Sequence, residues 1–86
     1  MTRQKILIKN PTGLHMRPAG VFAKEMGMFT CDVRIRHNKN LINAKSILNI
    51  MAECIKCGDE IDLECDGSDE LQAMKKALEL IEGFTE

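Results

Sequence analysis

An α+β open-faced sandwich is the fold this sequence predicts: a four-stranded antiparallel sheet with three helices on one face, in the order βαββαβα, with residues 1–86 as a single domain. Three observations predict it. Stretches of period-two alternation give way repeatedly to stretches of helical period, and turn signals mark the changes. The strands alternate polar with apolar instead of running continuously apolar, so one sheet face meets water while the helices cover the other. The chain has 86 residues, enough for one small core, because a chain this short buries only about 60% of its unfolded surface.

Gln4 to Lys9 reads as the first strand, with Ile6 and Ile8 on one face, Lys5 and Lys9 on the other, and Leu7 blurring the pattern. Asn10-Pro11-Thr12-Gly13 is a turn. From Pro18 the period changes: Ala19, Phe22, Ala23 and Met26 form the apolar stripe of a helix that Gly27 stops, and Pro18 suits its first turn. Cys31 to His37 alternates again, with Val33 and Ile35 inward, and Leu41-Ile42-Asn43 returns as the second arm of a hairpin. Ser46 caps a brief helix that carries Ile47, Leu48, Ile50 and Met51. After the turn Lys56–Asp59, the segment Glu60–Cys65 alternates strictly. A last helix aligns Leu71, Met74, Leu78 and Ile81, with Asp69 and Glu70 at its positive end and Gly83 at its finish.

Several function classes fall away on composition. No apolar run approaches the roughly 20 residues of a membrane span, and Ile6-Leu7-Ile8 is too short for the core of a signal peptide. With no Trp, no Tyr and three Phe, there are few platforms on which bases could stack, so no nucleic-acid partner is expected. The net charge of −1 conceals an asymmetry: residues 1–45 carry a net of +7 and residues 46–86 a net of −8. Both populations must share one surface, on which a basic area would steer an acidic or phosphate-bearing partner.

The first chemical candidate is Gly13-Leu14-His15-Met16-Arg17-Pro18-Ala19. His15 falls in the last loop residues before a helix, where backbone N–H groups lack intrahelical partners and the dipole favours anions. A neutral imidazole there is a nucleophile for a phosphoryl group, and Arg17 is suited to meet phosphate oxygens. The plainer alternative makes His15 a capping side chain and Arg17 a solvated charge. The four cysteines form a second candidate. Cys54-Ile55-Lys56-Cys57 lacks the second closely spaced pair of a structural zinc site, and Cys65 fits the inward face of its strand, so no metal is expected. Asp62–Gly67 begins like a calcium loop, but the position that needs a bidentate Glu is Ala73. His37, beside a turn, reads as an exposed polar residue without a role.

The segment Gly13–Ala19 resembles the phosphorylation motif of the HPr family, the histidine-containing phosphocarriers of the bacterial sugar phosphotransferase system. Lys45-Ser46-Ile47-Leu48 followed by Met51 is similar to that family's regulatory serine segment, at the expected separation, and the element order agrees over essentially the whole chain. The resemblance implies a cytoplasmic, monomeric carrier without cofactor. His15 would accept a phosphoryl group on Nδ1 from enzyme I and pass it to the A domains of sugar permeases. Met16, Arg17 and Pro18 would surround the phosphate, and Met16, Gly20, Lys24, Ile47, Leu48 and Met51 would form the contact surface. Ser46, otherwise an ordinary cap, would be phosphorylated by an ATP-dependent kinase/phosphorylase, and a transcription regulator would then read it.

An alternative is an HPr-like regulatory module acting through Ser46 or through a non-sugar phosphorelay. Retention of His15 and Arg17 favours the carrier. The chain departs from the family pattern at Met16, often Ala, at Glu53 and Cys54, commonly Leu and Gly, and at Cys57, where many relatives carry Lys. A negative Glu53 beside the apolar patch is expected either to weaken binding to acidic partners or to mark different ones.

Overall fold

The strictly alternating segment becomes an inner strand of the sheet. In the computed structural model, which describes residues 1–85, strands β1 (Thr2–Leu7), β2 (Asp32–His37), β3 (Asn40–Asn43) and β4 (Glu60–Asp66) form one antiparallel sheet in the order β1-β4-β2-β3. Helices α1 (Met16–Met26), α2 (Ile47–Glu53) and α3 (Glu70–Gly83) complete the order βαββαβα. Ile61, Leu63 and Cys65 of β4, with Val33 and Ile35 of β2, are buried under the helices beside Phe22 and Met26 of α1.

The opposite face of the sheet accounts for the split in charge. Every outward position of β4 is acidic: Glu60, Asp62, Glu64 and Asp66. The register sets Arg3 and Arg34 on either side of Glu64, and Lys5 and Arg36 on either side of Asp62. An acidic strand thus lies between two basic ones, and opposite charges paired across strands favour this order over one that would place β1 against β2. Glu64 is buried, with Arg3 Nη2 at 2.9 Å, Arg36 Nε at 3.3 Å and Arg34 Nε at 3.7 Å. Four of the nine basic residues of the N-terminal half, Arg3, Lys5, Arg34 and Arg36, thus lie opposite these acids.

Local chemistry explains the connections. Asn38 and Lys39 both have positive φ (48° and 71°) and form the two-residue hairpin between β2 and β3, a turn in which left-handed backbone matches the twist of the strands. Ser46 caps α2 as expected, its Oγ accepting from the Asn49 amide at 3.2 Å. α1 buries Ala19, Phe22, Ala23 and Met26, the stripe read from the sequence, and Pro18 with them.

Two expectations, those for Leu71 and His37, are corrected. Leu71 does not belong to the stripe of α3; it is 72% exposed, and the buried residues are Ala73, Met74, Ala77 and Ile81. At about 100° per residue Leu71 lies about 100° from the centre of that stripe, so the i, i+3 match placed it at a margin. Asp69 stands at the N-cap of α3, at the positive end as expected, but its side chain makes no capping bond there. Its carboxylate accepts from the amides of Thr30 and Cys31 at 2.8 and 2.9 Å, chiefly the Thr30 bond drawing its pKa down to about 2. His37 is buried. Among the described residues no helix is long and apolar enough to cross a membrane.

Candidate functional site

The turn Asn10–Gly13 delivers the chain to the start of α1. The side-chain amide of Asn10, itself buried, donates to the Gly13 carbonyl at 2.6 Å. Gly13 has φ of +64°, and a Cβ there would overlap the Ile55 carbonyl oxygen. Only glycine lets the two backbones come this close. The next amide, Leu14 N–H, donates to that carbonyl at 3.0 Å, and the Leu14 side chain is buried in the core. His15 follows at once as N-cap of α1, in extended conformation and exposed, with no capping hydrogen bond from its side chain. The geometry therefore disfavours the capping alternative.

Met16 (63% exposed) and Arg17 open the helix on the surface, Pro18 turns into the core, and no acidic residue occupies the first turn. The helix ladder begins with Ala19 N–H donating to the His15 carbonyl at 2.8 Å. The N–H groups of Met16 and Arg17 precede that ladder, at the positive end of the helix dipole. Gly20 is half-buried on the same helix, and exposed Lys24 lies in its last turn, about 12 Å along the axis from Met16.

A cleft of about 260 Å³ opens beside His15, walled by Thr12, Leu14, Met51, Cys54, Ile55 and Lys56. The structure thus joins His15 to Met51 of α2, while Ile47 and Leu48 stand exposed on that short helix (Leu48 80%). A larger groove, about 650 Å³, lies elsewhere between β1 and the end of α3. Ser46 is half-buried at the N-cap of α2. All four cysteines are free thiols, with Cys31 and Cys65 buried and Cys54 and Cys57 exposed. Burial pushes the Cys65 thiol up to about 12, consistent with a small core residue. Among the described residues no group of three or more His, Cys, Asp or Glu could hold a metal ion.

Sequence reasoning missed the structure behind the cleft wall. The His37 ring, only 4% exposed, bridges Glu53 Oε2 at Nδ1 (2.6 Å) and Asp59 Oδ2 at Nε2 (2.9 Å). Burial opposes the charged ring, but the hydrogen bonds and charges of Glu53 and Asp59 outweigh it and hold the His37 pKa above its ordinary value. Glu53 is thereby turned inward, its side chain 9% exposed, and it does not present the free negative charge expected of it. Only the unusual residues at 53 and 54 hinted at this arrangement, since its members lie 16 and 22 residues apart.

Comparison with known proteins agrees with the geometry. The family model of the phosphotransferase-system HPr component phosphorylation site matches residues 2–83. The chain is 43% identical over 75 residues to the phosphocarrier protein HPr of Mycoplasma capricolum, covering 87% of this chain and 84% of that one. It is 38% identical to the HPr-like protein Crh of Bacillus subtilis over 76 residues, covering 88% and 89%. The crystal structure of HPr from Thermoanaerobacter tengcongensis superposes with a TM-score of 0.92 at 38% identity, covering 95% of this chain and 92% of that one. This chain belongs to the HPr family, the phosphocarrier components of the phosphotransferase system.

Proposed function

We propose that this protein carries a phosphoryl group on His15, accepting it from phospho-enzyme I in the cytoplasm and delivering it to the A domains of sugar permeases. The observation that carries the reading is the exposed imidazole at the N-cap of α1, which makes no capping bond of its own. In the acceptor step the Nδ1 lone pair of His15 forms the new N–P bond as the donor's N–P bond breaks, and the donor imidazole keeps that electron pair. The reverse sequence discharges the carrier. The Met16 and Arg17 amides, the helix dipole and the Arg17 guanidinium face the arriving charge, as in-line transfer between two positioned rings requires. Pro18 supplies no N–H, and its buried ring fixes the entry of the helix. Met16, Gly20, Lys24, Ile47, Leu48 and Met51 form the docking surface. No cofactor takes part.

Incubation with enzyme I and phosphoenolpyruvate tests this directly. Intact mass should show one acid-labile phosphoryl adduct that His15→Ala lacks. A wild-type protein left unmodified beside a competent control HPr overturns the reading.

Similarity to Crh and the exposed apolar pair Ile47 and Leu48 beside Ser46 favour a second, regulatory layer. Ser46 is the site of an ATP-dependent kinase/phosphorylase, and its phospho-form is read by a transcription regulator. A phosphate there carries a charge of about −2, which repels an acidic surface approaching Ile47 and Leu48. Acid-stable phosphorylation that leaves enzyme I affinity unchanged would reduce Ser46 to a cap. The working unit is a monomer. Solved relatives include a dimer of Crh with a swapping domain and an HPr dimer from Thermoanaerobacter tengcongensis, so sedimentation at micromolar concentration decides the point.

A further inference from the structure

The loop that carries His15 rests on the segment 54–56, and that segment is bracketed by two carboxylates drawn to one imidazole. Leu14 N–H donates to the Ile55 carbonyl at 3.0 Å. Lys56 N–H donates to Asp59 Oδ2 at 2.9 Å, and Asp59 N–H returns to the Lys56 carbonyl at 3.0 Å. The same Asp59 oxygen meets His37 Nε2, while His37 Nδ1 meets Glu53 at the end of α2. Asn40 of β3 donates to both Glu53 oxygens at 3.1 and 3.3 Å. Cys54, Ile55 and Lys56, the residues between the brackets, form one wall of the cleft at His15.

We infer that His37, Glu53 and Asp59 are positioning residues for phosphoryl transfer: the imidazolium holds both carboxylates and so fixes the backbone wall against which the His15 loop is set. The inference rests on the carrier reading above. A ring can donate at both nitrogens only when it is doubly protonated. A neutral ring keeps one N–H and turns a lone pair toward the other carboxylate. Glu53, closer and more deeply buried than Asp59, retains the N–H, so Asp59 is released. The groups facing His37 are Glu53 from α2 and Asp59 from the α2–β4 loop, with Asn40 behind Glu53 and the Lys56 charge acting on Asp59. His37 titrates above its ordinary value, so the clasp is complete in mildly acidic solution and opens as pH rises through that raised value. A shift of the reacting geometry well under 1 Å suffices to change a transfer rate several-fold.

Two measurements on the full-length protein test this. In amide NMR spectra of the wild type, Leu14, Cys54, Ile55 and Lys56 should titrate with the His37 midpoint, and in His37→Gln that inflection should vanish. The initial rate of phosphorylation by enzyme I and phosphoenolpyruvate is then followed against pH for both proteins. Titration of donor and acceptor is common to the two and cancels in the ratio. The wild-type to variant rate ratio should fall by about threefold or more as pH rises through the His37 midpoint. A ratio that is constant with pH means a merely structural role and overturns the inference. Glu53→Gln covers the case in which His37→Gln does not fold. It lowers the His37 midpoint, and the break in the rate profile should move with it; a break that stays in place refutes the coupling. Absence of any wild-type phosphorylation sinks the carrier reading and this inference with it, a result readily told apart from a flat ratio.

Discussion

Replacing Glu64 by Gln removes one charge from the middle of the open sheet face and leaves its shape. The carboxylate is 3% exposed, while its partners Arg3, Arg36 and Arg34 are 51%, 43% and 30% exposed. A fully buried pair broken on one side costs about 3–5 kcal/mol, but these guanidinium groups can turn to water. Each contact therefore counts closer to a surface pair, about 0.5–1 kcal/mol, and three together give about 1.5–3 kcal/mol. With a urea m-value of about 1.5 kcal/mol/M, the unfolding midpoint should fall by about 1–2 M. Raising the salt concentration should narrow the gap, because the arginine ends of these pairs are screened. A midpoint within about 0.2 M of wild type, or a gap insensitive to salt, refutes the claim that β4 is held by its acids between two basic strands.

Three further outcomes follow from local geometry. Gly13→Ala places a Cβ against the Ile55 carbonyl at positive φ; it should lose about 1–3 kcal/mol by urea unfolding and slow phosphorylation by enzyme I. Cys54 occupies the left-handed region at the end of α2 (φ 57°, ψ 50°), where glycine is unstrained, so Cys54→Gly should gain about 0.5–1 kcal/mol, read as a higher melting temperature. Asp69, with its pKa depressed to about 2 from 3.8, contributes stability that is present above its ordinary value and lost as pH falls through the lower one. Asp69→Asn should therefore melt well below wild type at neutral pH, and the difference should close in acid down to about pH 2; a difference independent of pH would mean that Asp69 does not act through its charge.

The sequence made the elements legible because alternation and helical period are local signals. Spacing alone points Val33 and Ile35, Ile61 and Leu63, and Phe22 and Met26 inward, and all six are buried. His15 was legible for the same reason, since a turn and a following helix define an N-cap. What was not legible depends on pairing between distant segments. His37 reads as a turn residue until Glu53 and Asp59 are brought to its two nitrogens by the return of α2 and the turn before β4. Asp69 reads only as an anion at the start of α3 until the chain leading into β2 brings the Thr30 and Cys31 amides to its carboxylate. The charge split was visible as arithmetic, but its meaning required the strand order, which inserts β4 between β1 and β2.

That strand order also decides what a partner meets at His15. Six of the chain's thirteen acids are committed to other groups: Glu64 to three arginines, Glu53 and Asp59 to His37, Asp69 to Thr30 and Cys31, Glu70 to the N-terminus and Glu25 to Lys76. No acid lies in the first turn of α1. In the proposed transfer, a phosphoryl group of charge about −2 would arrive beside helix amides and Arg17 with no carboxylate in that turn to repel it. The overall charge of −1 is consequently a poor guide to the field an incoming phosphodonor meets, because opposing charges that cancel across the sheet fall off within a few ångströms while the end of α1 does not cancel. On the proposed function, electrostatic steering toward this site would come from a small number of positive groups at short range and so should weaken over ordinary salt concentrations, leaving the exposed apolar residues Met16, Ile47 and Leu48 to hold the encounter while the two imidazoles align.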